Sequence, residues 1–420
     1  LPFDATAPNL DFLLIAAAIE MELSDRDLQV ASKRYGLIAE HLQRTGGALA
    51  DYMNDALVYA QGSRAIGATI VDGSSDDRFD LDAILEFRTP PGWQPKRVLD
   101  GLFDSFEGFP GVRKIVRCTR CVQLQFAFMH LDVTPMDPFA APRRERAGNI
   151  YHSPDKGADA LFSVNPYGFA QWFRQTVKLP SHQFQDQVRA IRSQMSIPDR
   201  IALNAVFADA ETDKLPEPID PLRDAPQVIA LKLMKRYLNL RYAPRDRKRP
   251  VSIYLSKVSA EVPLNIFGLC AQLEALASEL DRRMAVALAS GQQPEERNPV
   301  FQDENFNDRW PKDATDMVVF RGDLQHLLAE LARARDSELS EIQEIFDQLF
   351  GERVTQRAVR KYLDGLSDKA APAAYERGKG FLAAPALVAA AAPAAASTST
   401  VAAPQVSRAP AHSFHSGLLK

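Results

Sequence analysis

Cysteine is scarce in this chain of 420 residues, with only Cys118, Cys121 and Cys270 present. Three thiols cannot build a disulfide framework, and so few fit a reducing compartment. Cys118 and Cys121 form a C-x-x-C, but no second pair accompanies them, so the pair reads as packing at the start of a strand rather than as a zinc site. No apolar run approaches the ~20 residues that span a bilayer. The apolar start, Leu13 to Ile19, is short, has no basic flank before it and runs into Glu20 and Glu22. It reads as a helix capped into the fold, not as a signal peptide. The chain opens on Leu rather than Met, which points to a trimmed start or an unusual initiation codon. An excess of one charge is missing as well: 50 Lys and Arg stand against 54 Asp and Glu, a net charge of −4. The whole-chain balance therefore makes no electrostatic case for nucleic acid, although local basic stretches can still serve phosphates. The expected location is the cytoplasm, away from membranes.

What is present is ordinary globular material. Hydrophobic residues make up 46% and charged residues 25%, and the length suits two domains plus extra chain. The first sixty residues are helical in pattern: Ser24-Asp25 caps a run in which Leu28, Ala31, Tyr35, Leu37, Ile38 and Leu42 recur at helical spacing. Gly46-Gly47 interrupts it, and a shorter periodic stretch continues to about Leu57. The pattern then turns to strands. Val58-Tyr59-Ala60 leads into Gln61-Gly62-Ser63, a turn-rich loop covers Asp72 to Asp77, and Phe79 to Phe87 alternates with period two. A helix is predicted from Lys96 to about Phe106, and an apolar, β-rich run from Val122 to Val133 that stops at Pro135. Beyond residue 195 the composition is helical, with helices predicted over 226–240, 265–289, 321–334, 337–350 and 355–366 and a basic loop from Arg245 to Arg249. From about Ser367 the chain is mostly Ala, Pro, Ser and Thr, which predicts a disordered tail.

The chemistry starts at Asp80-Leu81-Asp82. Residues i and i+2 of a strand share a face, so Phe79, Leu81, Ala83, Leu85 and Phe87 can line a core while Asp80 and Asp82 project together on the other side. Two carboxylates so close repel unless a cation lies between them. Hard oxygen ligands suit Mg²⁺, which keeps waters and binds through one or two carboxylates plus substrate phosphates. Taken alone, D-x-D is weak and reads more simply as a solvated strand face. Gly62-Ser63 is weaker still, although a glycine lets backbone approach a phosphate and the serine adds a hydroxyl. Asp132, in His130-Leu131-Asp132-Val133-Thr134-Pro135, is costly to bury without a partner. It is either a strand-terminal turn cap or a third metal ligand that takes a proton from an attacking hydroxyl. His130 reads as structural.

Together the elements are far more specific. Gly62-Ser63, a D-x-D seventeen residues past the serine and a later single acid resemble the polymerase-β-like nucleotidyltransferase superfamily. Further stretches are similar to the bacterial cGAS/DncV-like nucleotidyltransferases: Gln61-Gly62-Ser63, Asn165 to Phe173, Leu233-Met234-Lys235-Arg236-Tyr237, Pro250-Val251-Ser252-Ile253, and Asn298-Pro299 through Glu304-Asn305 to Trp310. The departures are an Asp- and Ser-rich loop before Asp80, and Tyr237 where the family often has histidine.

The resemblance implies an α+β fold: a polymerase-β-like core with a mixed sheet over residues 1–195, a C-terminal helical domain over 196–366, the active site in the cleft between them, and the tail over 367–420. It implies that Asp80 and Asp82 bind two Mg²⁺ ions, with Mn²⁺ as a substitute, and that Asp132 holds one metal and helps activate a ribose hydroxyl. Gln61, Gly62 and Ser63 would meet the donor nucleotide, Lys235 and Ser252 its triphosphate, and Asp303 or Asn305 a base. The substrates implied are nucleoside triphosphates, ATP or GTP. The implied product is a cyclic di- or trinucleotide messenger in anti-phage (CBASS) defence, read by a downstream effector, with regulatory protein partners. Outside that context Lys235-Arg236 reads as a solvated helix face, Ser252 as a residue of an apolar strand, Trp172, Phe173 and Trp310 as core anchors, and Asn165-Pro166 as a helix start. Two alternatives stay open: a transferase modifying an RNA end or small molecule, and a silent nucleotide-binding module.

Overall fold

Alternation from Phe79 onward and the helical periodicities on either side of it produce a mixed sheet and a helical body. The computed structural model describes residues 9–71, 78–140, 145–195 and 221–369, with short strands at 375–376, 380–381 and 406–408. In chain order, α1 (Leu10–Glu20) and α2 (Asp25–Arg44) lead into β1 (Leu57–Gln61), the single turn α3 (Gly62–Ala65) and β2 (Phe79–Glu86). Then come α4 (Pro95–Ser105), β3 (Lys114–Arg117), β4 (Val122–Gln125), β5 (Met129–Pro138), β6 (Gly148–His152) and β7 (Ala160–Val164). Helices α5 (Pro166–Thr176), α6 (His182–Gln194), α7 (Pro226–Tyr242), α8 (Ser252–Glu261) and α9 (Leu269–Ser290) follow. A small hairpin, β8 (Arg297–Asn298) and β9 (Phe301–Asn305), precedes α10 (Ala314–Arg335), α11 (Leu339–Phe350) and α12 (Glu352–Lys369). The last strands are β10 (Tyr375–Glu376), β11 (Gly380–Phe381) and β12 (Val406–Arg408).

The sheet runs β12-β1-β2-β5-β4-β3, with β6 and β7 continuing from the far half of β5. All its pairings are antiparallel except β2 with β5, which is parallel. One face is apolar. Phe79, Leu81, Ala83 and Leu85 of β2, with Leu124, Leu131 and Val133, bury against Ala31, Tyr35, Ile38 and Leu42 of α2 and Val98, Leu99 and Leu102 of α4. A register slip of one residue would turn that set outward and push Asp80 and Asp82 into the core, so the apolar face specifies the register. The predicted caps are in place: Ser24 Oγ accepts the Asp27 N–H at 3.0 Å, and Asn165 Oδ1 accepts that of Gly168 at 2.7 Å.

The helical body forms a second core that also includes α1, α5 and α6. At its centre α7 is buried on nearly every side from Pro226 to Leu238, as a helix deep in a body must be. Its polar residues Gln227, Lys232, Lys235, Arg236 and Tyr237 each find a hydrogen-bond partner. Gln227 Nε2 donates to the Val262 carbonyl (2.8 Å) and Arg236 Nε to that of Phe350 (2.8 Å). Lys235-Arg236 is thus no solvated face. Lys232, with no exposed surface, donates to Glu22 Oε1 at 2.6 Å, and Arg192 and Arg223 bind the same carboxylate.

Several expectations are corrected. The β-rich run is two strands, and Pro135 lies inside β5 instead of ending it. It is tolerated because β4 pairs with residues 130–133 and β6 with 136–138, so no neighbour on that side needs an N–H from Pro135. The stretch after Gly47 holds only a 3-10 turn at Ala50–Tyr52. Ser252 opens helix α8 and is not in a strand. Helix α9 starts at Leu269, after Gly268 at φ 111°. The Asp72–Asp77 loop lies outside the described residues, as does the Ala/Pro tail apart from its short strands. One of those, β12, pairs with the edge of β1. Among the described residues no helix is long and apolar enough to cross a membrane.

Burial alone would raise Glu22, but Lys232, Arg192 and Arg223 hold it down to about 2. Glu22→Gln strands a buried ammonium and should cost roughly 3–5 kcal/mol of unfolding free energy at pH 7. Because the folded carboxyl lies below its ordinary value, that stabilisation is present above about pH 4.5 and is lost as pH falls toward 2. Urea denaturation of both proteins at pH 7 and pH 3 checks this; an unchanged midpoint at pH 7 would contradict it.

Candidate active site

The parallel register of β2 and β5 sets Asp82 opposite Asp132 and Asp80 opposite His130. The three acids expected to act together are therefore on one face of adjacent central strands. Asp80 is exposed, and its Oδ1 lies 3.3 Å from His130 Nδ1. That hydrogen bond raises the imidazole above its ordinary value. Asp132 is held by Gln123 of the next strand, whose Nε2 donates to Oδ1 at 2.9 Å. Burial raises Asp132, and the bonds from Gln123 and Cys121 oppose the rise. Asp82 is shifted furthest: burial, with Asp132 and Asp80 as like-charged neighbours, pushes it up to about 7 against the charges of Lys235 and Arg309.

Gln61 and Asp82 are cross-strand partners, so the turn after β1 starts beside the acids. Gly62 has φ 58°, and a Cβ there would sit 2.3 Å from Asp82 Oδ2. Backbone conformation and close approach each demand glycine. Gln61 Nε2 reaches Thr134 Oγ1 (3.4 Å), and the Ser63 hydroxyl lies 3.4 Å from that of Thr69. The same turn ends at Ala68, whose N–H donates to the Ser63 carbonyl and whose own carbonyl accepts Lys235 Nζ at 2.8 Å. Burial and the like charge of Arg249 push the Lys235 ammonium down to about 7, although Asp82 and Asp80 draw it up.

The helical body thus brings cations to the acids. Ser252 is part of that wall, its hydroxyl accepting Arg249 Nη1 at 3.2 Å. Asn305 is not brought to the acids in the same way: its Oδ1 accepts the Asn307 N–H at 3.0 Å, a local bond in the turn after β9. Asp303 lies exposed on β9. Trp310 and Phe173 are buried in the core. Cys118 and Cys121 flank the β3–β4 turn, where the Cys118 N–H donates to the Cys121 carbonyl at 2.9 Å. Gln123 and Thr69 are neighbours of the site that motif reading passed over, and Cys121 and Arg249, read as strand packing and as part of a basic loop, are neighbours as well. Only the order of strands and the docking of α7 and α8 put them there.

The donor set fits a hard divalent cation. Among the described residues no three acid, His or Cys side chains close into a ready cage. What exists is an open group of carboxylates, which suits Mg²⁺ bound partly through waters and substrate phosphates.

No protein-family profile matches the chain. It is 32% identical over 369 residues, 86% of this chain and 85% of the relative, to the cyclic dinucleotide synthase CdnG of Bradyrhizobium diazoefficiens. The solved structure of that organism's CD-NTase CdnG in complex with GTP is similar at a TM-score of 0.71 and 30% identity, covering 84% of this chain and 97% of that one. The fold, though little of the sequence, is also that of the Vibrio cholerae DncV cyclic AMP-GMP synthase in complex with the linear intermediate 5' pppA(3',5')pG, with a TM-score of 0.54 and 12% identity over 84% of this chain and 98% of that one.

Two outcomes follow from the geometry. Gly62→Ala should displace the Asp82 carboxylate and lower nucleotidyl transfer about a hundredfold or more, since a misplacement on the order of 1 Å has that effect; circular dichroism should show the fold retained. In metal-free protein Asp82 stays protonated up to about 7, whereas it ionises near 3.8 when unfolded. Native protein then binds more protons in that window, so wild-type stability falls as pH rises through it. Asp82→Asn lacks this loss. In EDTA its melting temperature should gain on wild type from pH 4 to 7 and hold its lead above 7; parallel curves would refute the assignment.

Proposed function

The chain belongs to the bacterial cGAS/DncV-like nucleotidyltransferases (CD-NTases), and on that premise we propose how its cleft joins nucleotides. It is a nucleotidyltransferase that synthesises a cyclic oligonucleotide from nucleoside triphosphates. In our reading Asp80, Asp82 and Asp132 hold two Mg²⁺ ions, which Mn²⁺ can replace. Bound there, the metal neutralises triphosphate charge and eases loss of the proton from the attacking hydroxyl. The observation that carries the reading is the meeting of three carboxylates on β2 and β5 with the buried Lys235 of α7.

The chain's own groups do the positioning. Gly62 clears space beside Asp82, and the Gln61-Gly62-Ser63 turn offers backbone and hydroxyl donors to the donor phosphates. Lys235 and Ser252 approach those phosphates from the helical side. Asp132, oriented by Gln123 and raised by burial, accepts the proton of a ribose hydroxyl as it attacks the α-phosphate. Pyrophosphate leaves. The linear product keeps a triphosphate and a free hydroxyl, so the same acids serve the second transfer that closes the ring. No covalent nucleophile is needed, because the work is positioning and charge neutralisation.

GTP is one substrate in this proposal, since the CdnG of B. diazoefficiens binds it, and the product is a cyclic dinucleotide, as that relative's name states. The messenger acts through a downstream effector in anti-phage (CBASS) defence in the cytoplasm, and protein partners regulate the synthase. We assign residues 1–195 to the catalytic core and 196–366 to the helical part of the pocket, with α1, α5 and α6 of the first segment packed into the helical body.

The test is incubation with each labelled NTP, singly and in pairs, with Mg²⁺, followed by phosphatase and mass spectrometry. A phosphatase-resistant cyclic product containing G is expected. Asp80→Asn and Asp82→Asn should each lower it by roughly a thousandfold, the several kcal/mol that metal provides. Only linear products, or synthesis retained by both variants, would overturn the proposal.

A further inference from the structure

The segment joining α7 to α8 carries four closely spaced cations with different surroundings. Arg245 donates to both oxygens of Asp323 at 2.6 and 2.9 Å, and Arg247 donates to Asp316 at 3.0 Å. Lys248 is exposed. Arg249 is different. It is half-buried, its guanidinium donates to the Ser252 hydroxyl at 3.2 Å, and among the described residues no carboxylate lies within 4.0 Å of it. Lys235 is similar: nearly buried, bonded to the Ala68 carbonyl and, among the described residues, without a carboxylate at that range.

Arg249 acts on the Lys235 ammonium as a like charge, and such a pair is unfavourable unless something negative completes the group. Helix α8, to which Ser252 ties Arg249, packs against the α3 turn of Gly62 and Ser63 beside the acids; there burial draws the guanidinium down while the charge of Asp80 draws it up. The opposite wall has the complementary excess: three carboxylates, one of them bonded to the His130 imidazole. A metal-bound polyphosphate supplies both missing charges at once. A guanidinium presents a planar fork of donors that fits two oxygens of one phosphate, which an ammonium cannot do.

We infer that Arg249, positioned by Ser252, is a binding residue for the triphosphate tail of the donor nucleotide, gripping its phosphate oxygens from the α8 side. This rests on the reading of the cleft as a nucleoside triphosphate site. The competing role for Arg249 is purely structural, a tie to the first turn of α8 through Ser252.

The experiment measures synthesis by the full chain and its inhibition by two probes, inorganic tripolyphosphate and guanosine, for wild type, Arg249→Gln and Arg249→Lys. Arg249→Gln should raise the inhibition constant for tripolyphosphate and the KM for GTP by about 10–100-fold, the loss of one or two charge-assisted hydrogen bonds. The guanosine constant should stay within about twofold. Arg249→Lys should recover only part of the tripolyphosphate affinity, because it restores charge without the fork. Tripolyphosphate binding equal to wild type in Arg249→Gln would overturn the proposal. So would an equal loss for guanosine and tripolyphosphate together with a lowered melting temperature in both variants, since that marks a structural role. If tripolyphosphate fails to inhibit wild type, the triphosphate reading of the cleft falls first, and the Arg249 assignment with it.

Discussion

The parallel pairing of β2 with β5 is the constraint on which the rest of the site depends. It sets Asp82 against Asp132 with Asp80 alongside, an arrangement that Coulomb repulsion and burial both oppose. The fold accepts this cost because the opposite faces of the same strands bury Phe79, Leu81, Ala83, Leu131 and Val133. Hydrophobic burial fixes the register, and the register fixes the acids. The strain in charge is then what gives the site its affinity for cations. Gly62 follows from the same constraint, since the turn after β1 must pass so close to Asp82 that no side chain fits.

The helical body is tied to this sheet through α7, whose buried polar residues act as fixed points. Lys232 is anchored to Glu22, just past α1, and one turn later Lys235 is anchored to the Ala68 carbonyl beside the Ser63 turn. Glu22 satisfies three cations at once, so the start of the chain, α6 and α7 are held in one electrostatic joint. Such a joint is weak evidence for stability but strong for uniqueness of packing, because any shift leaves a buried charge unpaired. The consequence for function is that Lys235 reaches the acids from a rigid helix and not from a mobile loop.

Much of this was legible in the residues. Period-two alternation from Phe79 to Phe87 marked β2 and the face its acids share. The Ser24 and Asn165 caps marked two helix starts, and the helices after residue 226, α8 apart, were found with shifted ends. The short strands β3, β6 and β7 were not, because four or five residues half-buried at a sheet margin carry too little apolar alternation. Ser252 was misplaced for a related reason: Pro250-Val251-Ser252-Ile253 is apolar and β-branched, and only packing against α7 and α9 decides for helix. Lys235 and Arg236 look solvated in sequence, since a helix buried on all sides leaves no amphipathic trace.

Residue order and type thus determined the chemistry that is possible: which acids can share a strand face, where glycine is needed, and which family the motifs resemble. Pairing and docking decided the rest. That Asp82 meets Asp132 depends on β5 lying parallel beside β2 although 49 residues of chain, 83–131, separate the two acids. That Arg245 and Arg247 are bonded to carboxylates, while Arg249 bonds the Ser252 hydroxyl, depends on where α10 places Asp316 and Asp323. Charge balance acts through space, over a few ångströms, and a linear sequence gives the charges without those distances.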